Sequence, residues 1–557
     1  MQKRVIFEVS GMSCDHCADT IHKKLDIKGV IRRNVSYPEG KADIAYNTSE
    51  ISKDELVEII NSIDGYRVAG EQELEKDSQE NIMRSQSKRD SKKYSLLIIG
   101  GGSAAFAAAL RTSEMGGDVL MINDGLPIGG TCVNVGCIPS KTLIRAGEAN
   151  FHASHMHFDG IEAQSQVSDF KRVVQQQKEL VADMRQHKYV DVISDDPNIQ
   201  LIHGRGRMIS DHAVEIDGKI YKGENIMIAT GAGPFIPDIP GIREIDYLTN
   251  ESAYELDDKP DHLVILGGRY VGLENAQMFR RLGVKVTVLQ RSERILPTED
   301  PDITRDLSEY LEDEGITIVT GVKLKRVYPV GDEVVLKITH NGTEQIIKGS
   351  HIMVATGRKG NTGSLNLDEV GIHTNDRGYI PVDDTLRTNK QHIFAVGDVT
   401  GEQQFVYTAA YEGNLAAENA MTKGQKKKDY RVLPWVIFTD PQLAGVGMDE
   451  REAKEAGIDF EVAKLPLDQV PRAMAARDTR GFIKLLRNKK DDKLIGARIL
   501  APEGSELLME LSLAMRYGIT ITELASELHP YLTLSEAIKL TALTFQKDVS
   551  KLSCCAV

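Results

Sequence analysis

At about 150 residues per domain, a chain of 557 residues is long enough for three or four separate cores. Apolar residues make up 41% and charged residues 27%, as in a soluble globular protein, and no run reaches the roughly 18 apolar residues that a membrane span needs. A net charge of -14 argues against a nucleic-acid partner, and the N-terminus has no signal-peptide stretch, so the chain is expected in the cytoplasm.

Residues 1–70 read as a module of their own. Val5 to Val9 is a strand, Cys17 to Leu25 opens a helix, Ala42 to Tyr46 alternates as a strand, and Lys53 to Ile63 is an amphipathic helix. Between the first strand and helix stands Gly11-Met12-Ser13-Cys14-Asp15-His16-Cys17. Two thiolates on such a loop can hold a soft d¹⁰ ion linearly and release it by ligand exchange, whereas structural zinc would want four ligands. A redox C-x-x-C pair is the alternative reading. The motif resembles the loop of heavy-metal-associated domains, which implies a ferredoxin-like βαββαβ fold with Cys14 and Cys17 as metal ligands. Residues 71–92 are rich in Glu, Gln, Ser and Lys and read as a flexible linker.

From residue 93 the pattern is that of an α/β region. The apolar run Ser95 to Ile99 leads into Gly100-Gly101-Gly102-Ser103-Ala104-Ala105 and an Ala-rich helix, giving G-x-G-x-x-A at Gly100, Gly102 and Ala105. Glycine there lets the backbone approach a pyrophosphate that sits on the helix N-terminus; a structural glycine turn is the plainer alternative. Where an acid would bind a ribose hydroxyl stands Asn123, with Asp124 beside it, and either could accept that bond. Next come Gly129-Gly130-Thr131-Cys132-Val133-Asn134-Val135-Gly136-Cys137-Ile138-Pro139-Ser140-Lys141. A helix beginning near Cys137 should lower its pKa, helped by Lys141 one turn on, so that Cys132 and Cys137 can cycle between disulfide and thiols.

A second apolar run, His262 to Leu266, meets Gly267-Gly268-Arg269-Tyr270-Val271-Gly272, in which Arg269 replaces the middle glycine. The strand after it ends in Gln290-Arg291-Ser292-Glu293-Arg294. Arg291 and Arg294 in place of an acid favour the 2′-phosphate of NADPH, the alternative being two solvated arginines. Past Arg431 the glycine motifs stop and an interface-type domain follows.

With Ala229-Thr230-Gly231, Ala355-Thr356-Gly357-Arg358 and Ala395-Val396-Gly397-Asp398, residues 93–557 resemble the FAD-dependent pyridine nucleotide-disulfide oxidoreductases. The resemblance implies FAD and NADP Rossmann-like domains plus an α+β dimerisation domain: FAD at 93–241 and 358–430, NADPH at 242–357, and dimerisation at 431–557. It places FAD on Gly100, Gly102, Ala105, Asn123, Gly130, Thr131, Lys141, Gly397 and Asp398, and NADPH on Gly267, Gly272, Arg291 and Arg294. Cys137 matches the thiol nearer the flavin and Cys132 the exchanging thiol. Lys141 and Glu274 match a pair beside the flavin ring, and Tyr270 matches the aromatic covering the nicotinamide pocket.

The end of the chain narrows the resemblance. All six cysteines fall in close pairs, the last being Cys554 and Cys555 in a terminal Ser-Cys-Cys tail. Adjacent cysteines form only a strained ring, so gripping a soft metal is the more natural role. Disulfide reductases of the family carry a catalytic His five residues before a Glu; counting back from Glu536 reaches Tyr531, and His529 is two residues early. Tyr531, the segment Gln403 to Tyr407 and the tail together resemble the mercuric reductases. That implies reduction of Hg(II) by NADPH through FAD, with Hg(II) delivered as thiol complexes, passed by the Cys554 and Cys555 tail of the partner in a homodimer, and held by Cys132 and Cys137 in an inner site lined by Tyr270 and Tyr531. Two other readings stay open: a lipoamide- or glutathione-type disulfide reductase with an appended metal domain, and a non-enzymatic metal-sequestering protein.

Overall fold

The computed structural model describes residues 2–12, 15–25, 27–37, 40–63, 65–74, 93–548 and 551, in two compact units, one before and one from Lys93. The N-terminal unit has a four-stranded antiparallel sheet in the order Val30–Ser36, Lys41–Asn47, Gln2–Ser10, Arg67–Leu74, with helices Asp15–Lys24 and Lys53–Asn61. This is the expected βαββαβ order. Strand alternation buries Val5, Phe7, Ala42, Ile44 and Tyr46 against Ile21, Leu25, Leu56 and Ile60. Ser52 caps the second helix through a reciprocal bond with Glu55, which fixes where it starts. The last strand pairs Glu71 with Phe7 and runs on to Leu74, so backbone pairing continues four residues past the compositional boundary at residue 70.

The second unit begins with the parallel strands Ile199–His203, Val119–Asn123, Lys93–Ile99, Lys219–Ile228 and Ile393–Ala395. Their unbroken apolar runs follow from burial on both faces, worth about 1.5–3 kcal/mol for each large aliphatic side chain. The Ser103–Glu114 helix lies on this sheet against Val406–Thr422. A Cβ on Gly413 would stand 2.3 Å from the Ala104 carbonyl oxygen, so only glycine permits this helix approach. A second parallel sheet, ordered Thr317–Val319, Lys285–Leu289, His262–Leu266, His351–Val354, carries the other glycine loop.

A five-stranded antiparallel sheet, ordered Trp435–Ile437, Gln442–Gly447, Leu494–Ala501, Phe482–Asn488, Phe460–Pro466, forms the third body. Buried charge networks tie it to the nucleotide-binding segment. Arg281 Nη2 meets Glu314 Oε1 at 2.6 Å and Asp440 Oδ2 at 2.9 Å, and Arg498 Nε meets Glu299 Oε2 at 2.8 Å. Met509, Leu513 and Tyr517 form an exposed apolar stripe on the Leu508–Tyr517 helix. Among the described residues, no helix is long and apolar enough to cross a membrane.

Candidate active site

Both glycine loops have positions where no Cβ fits. Gly100 has φ +136°, and a Cβ on it would lie 2.2 Å from the Ala229 carbonyl oxygen. A Cβ on Gly130 would lie 2.6 Å from the Gly102 Cα, so the two loops touch where the Ser103–Glu114 helix opens with no side-chain cap. Uncapped helix N–H groups and a bare backbone suit a pyrophosphate. The buried Thr230 hydroxyl, in the neighbouring Ala-Thr-Gly turn, has no hydrogen-bond partner, and Ala105 is fully buried beneath the loop. This donor set fits FAD.

Asn123 faces the loop: its Oδ1 is 2.4 Å from the position a Cβ on Gly101 would take, while its Nδ2 donates to the Leu126 carbonyl at 3.0 Å. Asp124, the other candidate for the ribose, is drawn into an ion pair with Arg205 at 2.8 Å. Thr131 lies in the short helix Gly130–Val135. Gly397 has φ +73° and donates its N–H to Glu412 Oε2 at 2.6 Å. Beside it Asp398 stands 3.5 Å from Arg358 Nε, and burial raises its pKa against the pull of that arginine.

The second loop repeats the design. A Cβ on Gly267 would be 2.4 Å from the Ala355 oxygen, and one on Gly272 would be 1.8 Å from the Gly267 oxygen. Arg269 occupies the N-cap of the Tyr270–Arg281 helix and is exposed, so its side chain leaves the loop open despite the lost glycine. The two downstream arginines differ. Arg291 is exposed, whereas Arg294 donates to the Pro297 carbonyl at 3.1 Å within its own loop.

The thiols Cys132 and Cys137 stand in the two helices that follow Gly129, both partly buried and unbridged. Cys137 is the first residue of the Cys137–Ser154 helix, whose N-cap Gly136 supplies no side-chain bond. A hydrogen bond from the Cys132 thiol brings Cys137 down to about 7, with Lys141 assisting and burial opposing. The same bond and burial push Cys132 up, so Cys137 is the thiol of the pair that ionises first. Lys141 Nζ is 2.6 Å from Glu274 Oε2 and 4.5 Å from the centre of the Phe438 ring. Glu274 Oε1 accepts the Phe438 N–H at 3.0 Å, so all three bodies of the second unit meet at this one ion pair.

Tyr407 and Tyr189 stand near the pair, and Tyr270 near Tyr407. Tyr270 stacks on Trp435 at 5.8 Å, and burial raises its hydroxyl to about 12. Tyr407 donates to the Pro434 carbonyl at 2.5 Å; burial raises it, and Tyr270 and Cys137 add to the shift. Burial first and then the cysteine charges raise Tyr189 as well. Tyr407 and Tyr189 were not assigned from sequence. Tyr407 lies in the Gln403 to Tyr407 segment that carries the resemblance, whereas nothing in the pattern marked Tyr189.

Not every expected residue joins this cluster. Tyr531 is 49% exposed on the third body. His529 packs there with Nε2 at 2.8 Å from Glu510 Oε1 and Nδ1 at 3.3 Å from the Glu527 carbonyl, so both ring nitrogens have local partners. In the N-terminal unit Cys17 falls in the first helical turn. Gly11, at φ +97°, would place a Cβ 1.9 Å from the Gly65 oxygen, so the loop needs glycine there. Cys14, Cys554 and Cys555 lie outside the described residues.

Comparison with known proteins agrees with this arrangement. Residues 94–413 match the pyridine nucleotide-disulphide oxidoreductase family, 433–542 its dimerisation domain, and 6–66 the heavy-metal-associated domain. The chain is 41% identical to a mercuric reductase of Staphylococcus aureus over 98% of each chain. It is 39% identical to one of Bacillus cereus, over 100% of this chain and 87% of that one, and 42% identical to one of Streptomyces lividans, over 83% and 98%. Among solved structures, the Cu(II) complex of an HOCl-induced flavoprotein disulfide reductase from Escherichia coli superposes with a TM-score of 0.74 at 31% identity, covering 82% of this chain and all of that one.

Proposed function

This chain belongs to the pyridine nucleotide-disulphide oxidoreductase family, and we infer that within it the chain reduces Hg(II) to Hg(0) with NADPH as donor. It is a flavoprotein oxidoreductase that uses FAD and NADPH, and its dimerisation domain makes it a homodimer. FAD, when bound, relays the two electrons of one hydride. The observation that carries the reading is a pair of unbridged, partly buried thiols, Cys137 opening a helix one turn before the Lys141–Glu274 ion pair, in a chain that aligns end to end with mercuric reductases.

The protein's own groups divide the work. Gly100, Gly102, Ala105, Asn123, Gly130, Thr131, Lys141, Gly397 and Asp398 hold FAD, and Gly267, Gly272 and Arg291 hold NADPH, with Arg294 bracing the loop beneath. The Cys137 thiolate and the Cys132 thiol exchange with the ligands of incoming Hg(II), and Cys132 gives up its proton as it binds. Two-coordinate thiolate is the preferred surrounding of a soft d¹⁰ ion, and one thiolate ready at neutral pH starts the exchange. Lys141 and Glu274 form a neutral pair beside the sulfurs, so charge arriving with the metal meets no fixed excess of either sign. Tyr270 covers the nicotinamide side, and Tyr407 stands near both it and Cys137.

Delivery follows the same exchange chemistry. Cys14 and Cys17 capture Hg(II) from small thiol complexes, and the Cys554 and Cys555 tail of one subunit passes it to the site of the other, where Tyr531 completes the pocket. Free thiols at each stage suit the reducing cytoplasm. Purified flavoprotein should oxidise NADPH rapidly when Hg(II) is added and slowly with glutathione disulfide or lipoamide. Turnover of either disulfide without a response to Hg(II) would favour the disulfide-reductase reading, and a protein that retains no flavin would favour sequestration.

A further inference from the structure

A second group of ligating side chains stands away from the thiol pair. Among the described residues, Asp211, His212 and His392 place one nitrogen from each ring and a carboxylate oxygen within 4.8 Å of one another. Asp211 and His212 form the turn between strands Arg207–Ser210 and Ala213–Ile216, and His392 immediately precedes Ile393–Ala395. These residues sit at the N-terminal end of that parallel strand, whereas Gly100 and Gly397 follow the C-terminal ends of their strands. We propose that Asp211, His212 and His392 form a binding site for a borderline divalent cation of the Zn(II), Co(II) or Ni(II) class, separate from the mercury-handling cysteines.

The chemistry of the donors sets the class. Two imidazoles and one carboxylate suit borderline metals, being too hard a set for Hg(II) and too nitrogen-rich for Ca(II) or Mg(II). One of the two rings is oriented in the way metal-binding histidines require. His212 Nδ1 bonds to the Gly223 carbonyl at 3.1 Å, which leaves Nε2 bare for a metal. His392 Nε2 donates to the Asp211 carbonyl at 2.9 Å and lies 3.8 Å from its Oδ2, so the acid and the second ring are neighbours, and binding a metal through that nitrogen would release its proton and exchange the carbonyl bond for the ion. The two rings stack at 4.0 Å between centroids with 16° between planes.

Bonds of about 2.0–2.2 Å put tetrahedral ligand atoms about 3.4 Å apart, so the trio need close by no more than about 1.4 Å, a side-chain rotation. Backbone bonds hold the frame for that movement: Gly223 N donates to the His212 oxygen at 3.0 Å, and Ile226 N to the His392 oxygen at 3.0 Å. Three protein ligands leave one position for water. The bound ion would clip the 207–216 hairpin to the strand that leads into Gly397.

The test is equilibrium dialysis of the full-length, flavin-loaded chain against Ni(II). H392Q and H212Q should each bind one Ni(II) fewer per chain than the unaltered protein, with the thiolate-to-nickel charge-transfer absorbance unchanged. Unaltered stoichiometry and affinity, or loss of an ion that carries thiolate absorbance, would overturn the site. Because His212 also supports the hairpin, D211N serves as a variant that keeps the backbone frame. At least tenfold weaker binding at the nitrogen-ligated site is expected, and unchanged affinity would overturn the proposal.

Discussion

Lys141 Nζ stands 2.6 Å from Glu274 Oε2, so the cation one turn beyond Cys137 is shared between the thiolate and a carboxylate carried by the nucleotide-binding segment. Their effects on Cys137 are opposed, Lys141 lowering its pKa and Glu274 raising it. Lys141→Met should move the ionisation of the pair up from about 7 by roughly one unit, and Glu274→Gln should move it down. The pH dependence of iodoacetamide alkylation reads both shifts, and movement in the same direction would contradict the assignment.

The same thiolate contributes to stability. Its folded pKa, about 7, lies below the ordinary 9.0, so its share is fully present above pH 9 and is lost as pH falls towards 7. Cys137→Ser should flatten the rise in urea midpoint of the reduced protein across that window.

Glu412 behaves in the opposite sense. It is fully buried between the Gly397 N–H and the Tyr430 hydroxyl, and burial raises it from 4.5 to about 7. The folded state therefore holds a proton the unfolded chain has lost, and stability falls as pH rises from 4.5 to 7, by about 3 kcal/mol. Glu412→Gln keeps the shape and should remove most of that slope, measured by denaturation at a series of pH values.

Gly413→Ala places a methyl 2.3 Å from the Ala104 oxygen, a backbone atom that moves only with its helix. The substitution should cost about 1–3 kcal/mol and loosen FAD, because the displaced helix is the one that opens at Gly102. Loss of thermal stability together with faster flavin release on dilution is the expected pair of results.

The two arginines past the second glycine loop should separate. Arg291→Ala should raise KM for NADPH roughly tenfold or more, the worth of one charged hydrogen bond, with little change for NADH. Arg294→Ala loses the bond to the Pro297 carbonyl and should show its effect in stability, without discriminating the two nucleotides.

Much of this was legible in the chain because glycine, cysteine and apolar runs carry geometric demands. Gly100, Gly130 and Gly272 stand where no Cβ fits, and Cys137 opens a helix as its neighbours predict. Strands that fill both faces of a sheet, such as Val119–Asn123, are readable as unbroken apolar runs. Val30–Ser36 and Arg67–Leu74 were missed, and both are sheet edges with polar residues that packing does not dictate. For the same reason the polar stretch after Gly70 reads as linker although it pairs as far as Leu74. Long-range partners were equally invisible: nothing local ties Glu412 to Tyr430, or Tyr189 to the cysteines.

The central claim is that electrons from NADPH reach Hg(II) held by Cys132 and Cys137. The most direct measurement is mercury vapour released per NADPH consumed by the purified flavoprotein, with Cys132→Ala in parallel. One Hg(0) per NADPH, and none from the variant although it still binds flavin, is the predicted result. NADPH consumption without mercury vapour, or equal release from Cys132→Ala, would contradict the account.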